Sequence, residues 1–169
     1  AARLDPWVQR AMELALVSGQ PRDVIAAARF DQIEDGAWWC HRPKTDVQIM
    51  IPLELRLEAV GWSLDDVVRA CRDRVVSRRL IHHTRPRTKS SPGDPVHKDT
   101  ISRRFARARE LAGITGPNPP TFHEIRSLAE WLYSDQGIDT QALLGHRDPR
   151  TTAIYHDRRG SEWVRVKVG

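Results

Sequence analysis

The sequence predicts an α+β domain that is mainly helical and carries one small antiparallel β-sheet. Several stretches place apolar residues at helical spacing, and most of them begin or end at a residue suited to cap a helix. Two segments in the first third of the chain are strand-like and lie close enough to form a hairpin. At 169 residues the chain is long enough for one domain with a substantial core, and no internal repeat divides it.

The N-terminal region is predicted to form two helices. Residues 6–18 carry apolar side chains at helical spacing, and Gly19 is suited to the left-handed position that ends a helix. After a short turn, residues 24–30 form a second predicted helix, whose run of alanines allows a neighbouring element to pack closely.

A β-hairpin is predicted next. Residues 37–41 and 47–51 are strand-like, and a short basic turn that contains Lys44 joins them. Pro52 ends the second strand, and residues 53–57 are predicted to begin another helical piece. Lys44 is therefore expected near the tip of the hairpin.

The rest of the chain is predicted to be mostly helical. Ser63 is suited to cap one helix, and Thr121 with Glu124 forms the capping-box pattern of another. The predicted segments are a helix at 64–76, a short strand at 80–82, a helix from 99 or 100 to about 112, a helix at 121–133, a helix at 138–144 that Gly145 ends, a helix that begins at Asp148-Pro149 and carries Tyr155, and an edge strand at 163–168.

The composition is that of an ordinary globular protein with a basic surplus. Hydrophobic residues make up 40% and charged residues 29% of the chain, and 27 Lys and Arg against 22 Asp and Glu give a net charge of +5. That surplus favours a polyanionic partner. Cys40 and Cys71 lack CxxC spacing, which indicates a reducing compartment. No apolar run approaches the ~18 residues of a membrane helix, and the start without Met indicates a piece of a longer protein.

A cluster of polar residues near the C-terminus is typical of phosphate chemistry. His123 and Arg126 are three residues apart, so one helix face presents both to a ligand. His146 follows Gly145, and Tyr155 comes nine residues later. Each residue alone would be an ordinary solvated or packed side chain, and the combination favours a site. The histidine pair at 82–83 fits no zinc pattern, and no metal is predicted.

These residues resemble the tyrosine recombinases, the phage integrase family. HEIR at 123–126, LLGH at 143–146 and Tyr155 match the family's motifs in order. Further stretches, including RPKTDVQIMIP and TISRRFARARELAGI, are similar to lambda-type members. The resemblance covers nearly all 169 residues and implies a C-terminal catalytic domain, with the family's N-terminal core-binding domain absent from this chain.

The resemblance implies DNA strand transfer through a covalent intermediate. In this family a tyrosine attacks the scissile phosphate, which gives a 3′-phosphotyrosyl bond and a free 5′-hydroxyl. The intermediate keeps the bond energy, so neither ATP nor a metal nor any other cofactor is implied. Arginines and histidines must then meet the charge on the phosphate oxygens, and the leaving 5′ oxygen needs a general acid.

The family's roles carry over to five residues of this chain. Tyr155 corresponds to the nucleophile, and Arg126 to one phosphate clamp. His123 is the residue placed to assist proton transfer, and His146 is a hydrogen-bond donor to the phosphate. Lys44 matches the lysine on the hairpin that protonates the leaving oxygen.

This chain departs from the family's pattern at the position of the first catalytic arginine. Family members carry an arginine directly after a Thr-Gly-Gln-like turn, where this chain has Pro21. Arg22 follows one residue later and is predicted to take that role, because a second clamp is required. The alternative is a DNA-binding relative that is impaired in cleavage.

The expected partner is double-stranded DNA. The resemblance implies a homotetramer on paired recombination sites in the bacterial cytoplasm, with accessory DNA-bending proteins as further partners and no membrane. A basic belt is predicted to contact the DNA backbone and to give a steep salt dependence. Its members are Arg85, Arg87, Lys89, Arg103, Arg104, Arg107 and Arg109.

Overall fold

The computed structural model describes residues 3–42, 44–145 and 162–168, together with the backbone of residues 153–156. Along these residues the chain forms six α-helices and seven short strands, which confirms the predicted α+β class. In chain order the elements are α1 (Pro6–Ser18), α2 (Arg22–Ala27), β1 (Ile33–Glu34), β2 (Ala37–Arg42), β3 (Val47–Pro52), β4 (Arg56–Leu57), β5 (Trp62–Ser63), α3 (Leu64–Cys71), α4 (Lys98–Leu111), α5 (Glu124–Asp135), α6 (Thr140–Leu144), β6 (Ala153–His156) and β7 (Glu162–Arg165).

Helix α1 lies in the middle of the helical part, and its bounds confirm the prediction. Gly19 ends it with a φ of 67°, and the Gly19 N–H donates a hydrogen bond to the carbonyl of Ala15 at 2.8 Å. The helix packs against α3 and α5, and Leu14 and Val17 are fully buried there. Because α1 is fixed on several sides, the direction in which residues 20–23 leave it is also fixed.

The sheet is mixed and has the strand order β1-β2-β3-β7-β6. Strands β2 and β3 form the predicted antiparallel hairpin, in which Arg42 pairs with Val47 next to the turn. Strand β7, in contrast, runs parallel to β3 and antiparallel to β6. The prediction of a wholly antiparallel sheet with a C-terminal edge strand is therefore wrong in part. Alternation of apolar and polar side chains predicts a strand, but it does not determine which strands pair with it or in which direction they run.

Helix α2 begins earlier and ends earlier than predicted. It covers Arg22–Ala27 rather than 24–30, because the backbone becomes extended at Ala28, where ψ is 129°. The Ala28 carbonyl accepts a hydrogen bond from the N–H of Leu80 at 3.0 Å, which replaces a further helical turn. The predicted strand at 80–82 forms only single-residue bridges to other segments.

Residues 53–57 do not form the predicted helical piece. The N–H of Leu55 donates to the carbonyl of Pro52 in a turn, and Leu57 then pairs with Trp62 in the small β4–β5 hairpin. Leu55 and Leu57 are both fully buried, which is the period-two pattern of a strand rather than the pattern of a helix.

Helix α3 has the predicted N-cap and a shorter body. The Ser63 hydroxyl accepts the Asp66 N–H at 3.1 Å, and the Asp66 carboxylate accepts the Ser63 N–H at 3.0 Å. The helix ends at Cys71 rather than at residue 76, because the backbone is extended at Arg72, where ψ is 111°. Cys71 is the last side chain that α3 buries, and Val76, where the helix was predicted to end, is exposed.

The three remaining helices lie close to their predicted positions. Helix α4 agrees to within two residues, and α6 is capped by Asp139 and ended by Gly145, whose φ is 75°. Helix α5 begins at Glu124 rather than Thr121, because a turn precedes it. The carboxylate of Glu124 still accepts the Thr121 N–H at 2.6 Å. One contact of the predicted capping box is therefore present, in the turn that precedes the helix.

One main hydrophobic core joins the helices to the sheet. Trp38 and Ile49 of the hairpin are fully buried in it, together with Tyr133 of α5 and Leu143 of α6. In the part of the chain that the structure describes, none of the helices combines the length and the hydropathy that crossing a bilayer requires.

Candidate active site

A cleft of about 320 Å³ opens where the N-terminal ends of α2, α4 and α5 meet the β2–β3 turn. Five cationic side chains and one carboxylate contribute to its walls, so its net charge is positive. The lining residues are Pro21, Arg22, Asp23, Arg42, Lys44, Lys98, His123 and Arg126. A concave, cationic surface of this kind favours an anion such as a phosphate.

Arg126 reaches the cleft from α5 and is partly held by the chain itself. Its Nη2 donates a hydrogen bond to the carbonyl oxygen of Leu144 at 2.8 Å. Its buried Nη1 has no hydrogen-bond partner among the described residues. Burial, together with the nearby charge of Arg42, lowers the pKa of Arg126 to about 10. One arm of the guanidinium is thus fixed, and the other is a buried donor without a partner among the described residues.

His123 and Lys44 lie in the same cleft, as the sequence predicts. His123 occupies the position just before α5 and is exposed. Lys44 is exposed on the turn between β2 and β3, where its long side chain has room to move. The fold therefore brings an imidazole, an ammonium and the Arg126 guanidinium together from two distant parts of the chain.

Arg22 also lines the cleft, but its guanidinium is bound on the side of α4. Its Nη1 donates to the Ser102 hydroxyl at 2.7 Å and lies 3.4 Å from the carboxylate of Asp99. Pro21, at the N-cap position of α2, lines the cleft without a charged group. The predicted second clamp is thus near the site, although its charge is already paired.

Arg42 is a cleft residue that sequence reasoning missed. It stands at the end of β2 and donates a hydrogen bond to the same Leu144 carbonyl that Arg126 contacts. Burial lowers its pKa, although the nearby carboxylate of Asp23 raises it. The only signal in the sequence is an arginine two positions before Lys44, which is weak because turn arginines are common.

Tyr155 lies on a strand, which corrects the predicted helix. Its backbone pairs with Trp163 in the antiparallel β6–β7 ladder. Isoleucine and tyrosine favour strands, and β7 provides a neighbour for this segment. The predicted helix start at Asp148-Pro149 and His146 both lie outside the described residues.

The other tyrosine of the chain, Tyr133, is fully buried in α5. Its hydroxyl donates to the carbonyl of Val17 at 2.5 Å, and burial raises its pKa. Tyr133 is therefore a packing residue, because a buried phenol that already donates a hydrogen bond has no path to a DNA phosphate.

Two members of the predicted basic belt are tied to a buried carboxylate. Arg87 lies 2.5 Å and Arg85 lies 3.9 Å from the Asp5 side chain, which is only 4% exposed. On α4, Arg103 donates to Thr100 and Arg107 to Glu110. Lys89, Arg103 and Arg107 are exposed, and Arg104 is half-buried. A contact between these residues and DNA remains a prediction.

Two histidines outside the cleft, His82 and His97, have structural roles. His82 is buried and forms hydrogen bonds with the Asp73 carboxylate at 2.9 Å and with the carbonyl of Arg79 at 2.8 Å. His97 is the N-cap of α4, where its Nδ1 accepts the Asp99 N–H at 3.2 Å. Both imidazoles therefore have hydrogen-bond partners within the chain.

Solved integrases share this architecture. The catalytic core of lambda integrase aligns with a TM-score of 0.82 and 35% sequence identity, over 96% of this chain and 88% of that chain. A lambda integrase tetramer bound to a Holliday junction aligns with a TM-score of 0.76 and 36% identity, over 85% of this chain and 42% of that chain. The chain therefore has the fold of an integrase catalytic core.

The sequence comparisons agree with the fold. The profile of the phage integrase family matches residues 2–162. The prophage integrase IntE of Escherichia coli K12 is 45% identical over 164 residues, which are 96% of this chain and 44% of that protein. The integrase of Enterobacteria phage P21 is 39% identical over 169 residues, 99% of this chain and 44% of that protein. The chain thus spans less than half the length of these relatives.

Fold, cleft and relatives together identify the class of protein. They define the catalytic domain of a tyrosine recombinase. Within that class the chain belongs to the phage integrase family, which confirms the resemblance predicted from residues 123–126, residues 143–146 and Tyr155.

Proposed function

We propose that this domain cuts and rejoins DNA strands at specific sites through a covalent bond to Tyr155. The observation that carries the proposal is the cationic cleft, in which Arg126, His123 and Lys44 converge from α5 and the hairpin turn. No other arrangement among the described residues joins a general acid to a phosphate clamp in this way. The integrase relatives support the same activity.

The reaction is a transesterification that conserves the number of phosphodiester bonds. The Tyr155 oxygen attacks phosphorus, and the bond from phosphorus to the 5′ oxygen breaks. In this proposal His123 accepts the phenol proton, and Lys44 gives a proton to the leaving 5′ oxygen, and both residues line the cleft. A 5′-hydroxyl of another strand then attacks the phosphotyrosine and releases Tyr155.

Stabilisation of the phosphate is the task of the cations. Two non-bridging oxygens gain charge in the transition state, and fixed guanidinium donors stabilise that charge without reorganising. Arg126 is suited to this task, because its Nη2 is anchored and its Nη1 has no hydrogen-bond partner in the part of the chain that the structure describes. His146 is proposed as a further donor to the phosphate. Arg22, which the sequence suggests as the second clamp, could take that role only by leaving Ser102 and Asp99.

The proposed partner is double-stranded DNA, bound by four copies on paired sites in the bacterial cytoplasm, with help from accessory DNA-bending proteins. The lambda integrase tetramer on a Holliday junction supports the four-copy assembly. The net charge of +5 and the basic belt support the affinity for DNA.

Covalent capture tests the activity without knowledge of the target sequence. The protein is incubated with negatively supercoiled plasmid, and the reaction is stopped with SDS. We expect nicked circles that carry protein on a 3′ end from the wild type and from Tyr133→Phe, and none from Tyr155→Phe. Adducts that persist in Tyr155→Phe would refute this nucleophile.

A binding-only protein is the second candidate, because Pro21 places no cation where the family has an arginine. It predicts salt-dependent retention of DNA with no covalent product from any variant. The same plasmid experiment therefore separates the two candidates.

A further inference from the structure

Two arginines from distant elements converge on one backbone oxygen. Arg42 ends β2 and Arg126 lies in the first turn of α5, yet both donate hydrogen bonds to the carbonyl of Leu144. The space for this arrangement exists because residue 145 is a glycine. A Cβ at Gly145 would collide with the Arg42 guanidinium.

The convergence leaves positive charge that the chain does not neutralise. Each guanidinium has five donors, and a single carbonyl oxygen can accept only a few of them. Among the described residues, no carboxylate lies within ion-pair distance of Arg42 or Arg126, and Asp23 acts on both only from farther away. Two partly buried like charges repel each other, and an anion placed between them would remove that repulsion.

The cleft lacks an arginine at the position where the family has its first one. Pro21 occupies that position, and Arg22 is bound to Ser102 and Asp99 on α4. We propose that Arg42 supplies the second guanidinium that binds the scissile phosphate, opposite Arg126. The inference rests on the proposed function, because it assigns a residue to the phosphate of that reaction.

Two roles for Arg42 must be distinguished by experiment. As a phosphate ligand, it contacts the substrate and its loss weakens anion binding. As a cap of α6 alone, it holds the Leu144 carbonyl and its loss lowers only stability. Arg42→Lys keeps a cation and a donor but loses the planar fork, so it serves as a second variant if Arg42→Gln does not fold.

Binding of inorganic phosphate measures the role directly. The Nε–H signals of the arginines are followed by NMR while phosphate is added at constant ionic strength. We expect the Arg42 and Arg126 signals of the wild type to shift together, and Arg42→Gln to raise the dissociation constant by about tenfold or more. Arg22→Gln should raise it by about threefold at most, and Arg69→Gln, an exposed α3 arginine paired with Asp65, should leave it unchanged.

The proposal is overturned if phosphate leaves the Arg42 signal unshifted in the wild type. It is also overturned if Arg42→Gln, with an unchanged far-UV spectrum, binds phosphate within about twofold of the wild type. These results do not depend on DNA cleavage. Failure of the proposed function would instead appear as wild-type protein that binds phosphate but forms no adduct with plasmid DNA.

A rescue experiment tests the geometry. If Arg42 replaces the absent arginine, Pro21→Arg should restore plasmid nicking to Arg42→Gln by at least about tenfold. Pro21 lines the cleft and its φ of −73° suits arginine, so the new side chain can reach the same anion. If Arg42 only caps α6, Pro21→Arg would restore neither nicking nor phosphate binding, and the proposal would be wrong.

Discussion

The hydroxyl of Tyr133 donates a hydrogen bond to the carbonyl of Val17 and so ties α5, which carries Arg126, to the last turn of α1. A second tie lies next to it, where the buried side chain of Gln20 donates to the carbonyl of Leu143 at 2.8 Å. These two contacts hold together the segments that form opposite walls of the cleft. Buried polar contacts of this kind favour one arrangement of the helices, because any shift would leave a polar group unpaired.

Substitution of the two tyrosines should have opposite effects. Tyr133→Phe leaves the Val17 carbonyl without its partner in the core, and we expect a loss of about 1–2 kcal/mol in the free energy of unfolding. Its covalent adduct with DNA should persist at temperatures where it is folded. Tyr155→Phe should keep wild-type stability to within about 0.5 kcal/mol and form no adduct. Urea unfolding and SDS gels check both, and an adduct lost only in Tyr133→Phe would contradict the assignment.

Arg126→Met should separate stability from activity. Burial lowers the pKa of Arg126 to about 10, so the folded state disfavours the charged form. This destabilising contribution is fully present below pH 10 and disappears as the pH rises from about 10 through the higher pKa of the unfolded chain. We therefore expect the free energy of unfolding of Arg126→Met to match or exceed that of the wild type at pH 7. Above pH 10, the free energy of unfolding of the wild type should rise relative to that of the variant.

Paired urea unfolding curves at pH 7 and pH 10.5 measure that difference. Adduct formation by Arg126→Met should fall by about 10²–10³-fold, the usual effect of removing a donor from a developing oxyanion. If the wild type instead loses stability relative to Arg126→Met between pH 7 and pH 10.5, the charged form of Arg126 does not destabilise the folded state.

Two residues of the basic belt should behave differently although they are only two positions apart. Lys89 is exposed, and Lys89→Ala should reduce the slope of log K against log salt for DNA binding by about one. Arg87→Ala should instead destabilise the fold by about 1–3 kcal/mol, because the buried Asp5 loses its closest partner. Fluorescence anisotropy with a random duplex at four salt concentrations and thermal unfolding test the pair. Equal salt slopes for both variants would show that Arg87 also contacts DNA.

The two thiols should be inert in the folded protein. Cys40 and Cys71 are buried, and burial raises the pKa of each thiol to about 12. At pH 8 only about one thiol in ten thousand would then be ionised, against roughly a quarter for an exposed cysteine. A thiol reagent should label neither cysteine under native conditions and both in denaturant. Labelling of one equivalent before unfolding would contradict the burial of that residue.

Local sequence signals predicted the helices, turns and caps that are determined by residues close together in the sequence. Helix α1 with Gly19, the hairpin with Lys44 at its turn and the Ser63 cap all depend on residues within a few positions of one another. The pairing of His123 with Arg126 was predicted for the same reason. Motif spacing and helix periodicity are sufficient for such features.

Two features that depend on distant partners were not predicted. Arg42 enters the cleft because β2 packs near the end of α6, about a hundred residues later in the chain. Tyr155 lies on a strand because β7 pairs with its segment, although the local pattern favoured a helix. Tertiary pairing overrides local preference at both positions, and both belong to the proposed site.

The parallel pairing of β3 with β7 has a consequence for the order of folding. It joins Ile49 to Val164, more than a hundred residues apart, whereas the β2–β3 hairpin closes a loop of only a few residues. Long loops close at a higher entropic cost, so we expect β7 to gain protection after the β2–β3 hairpin in pulsed hydrogen exchange. During refolding, the turn that carries Lys44 would then form while the segment with the reactive tyrosine is still unpaired.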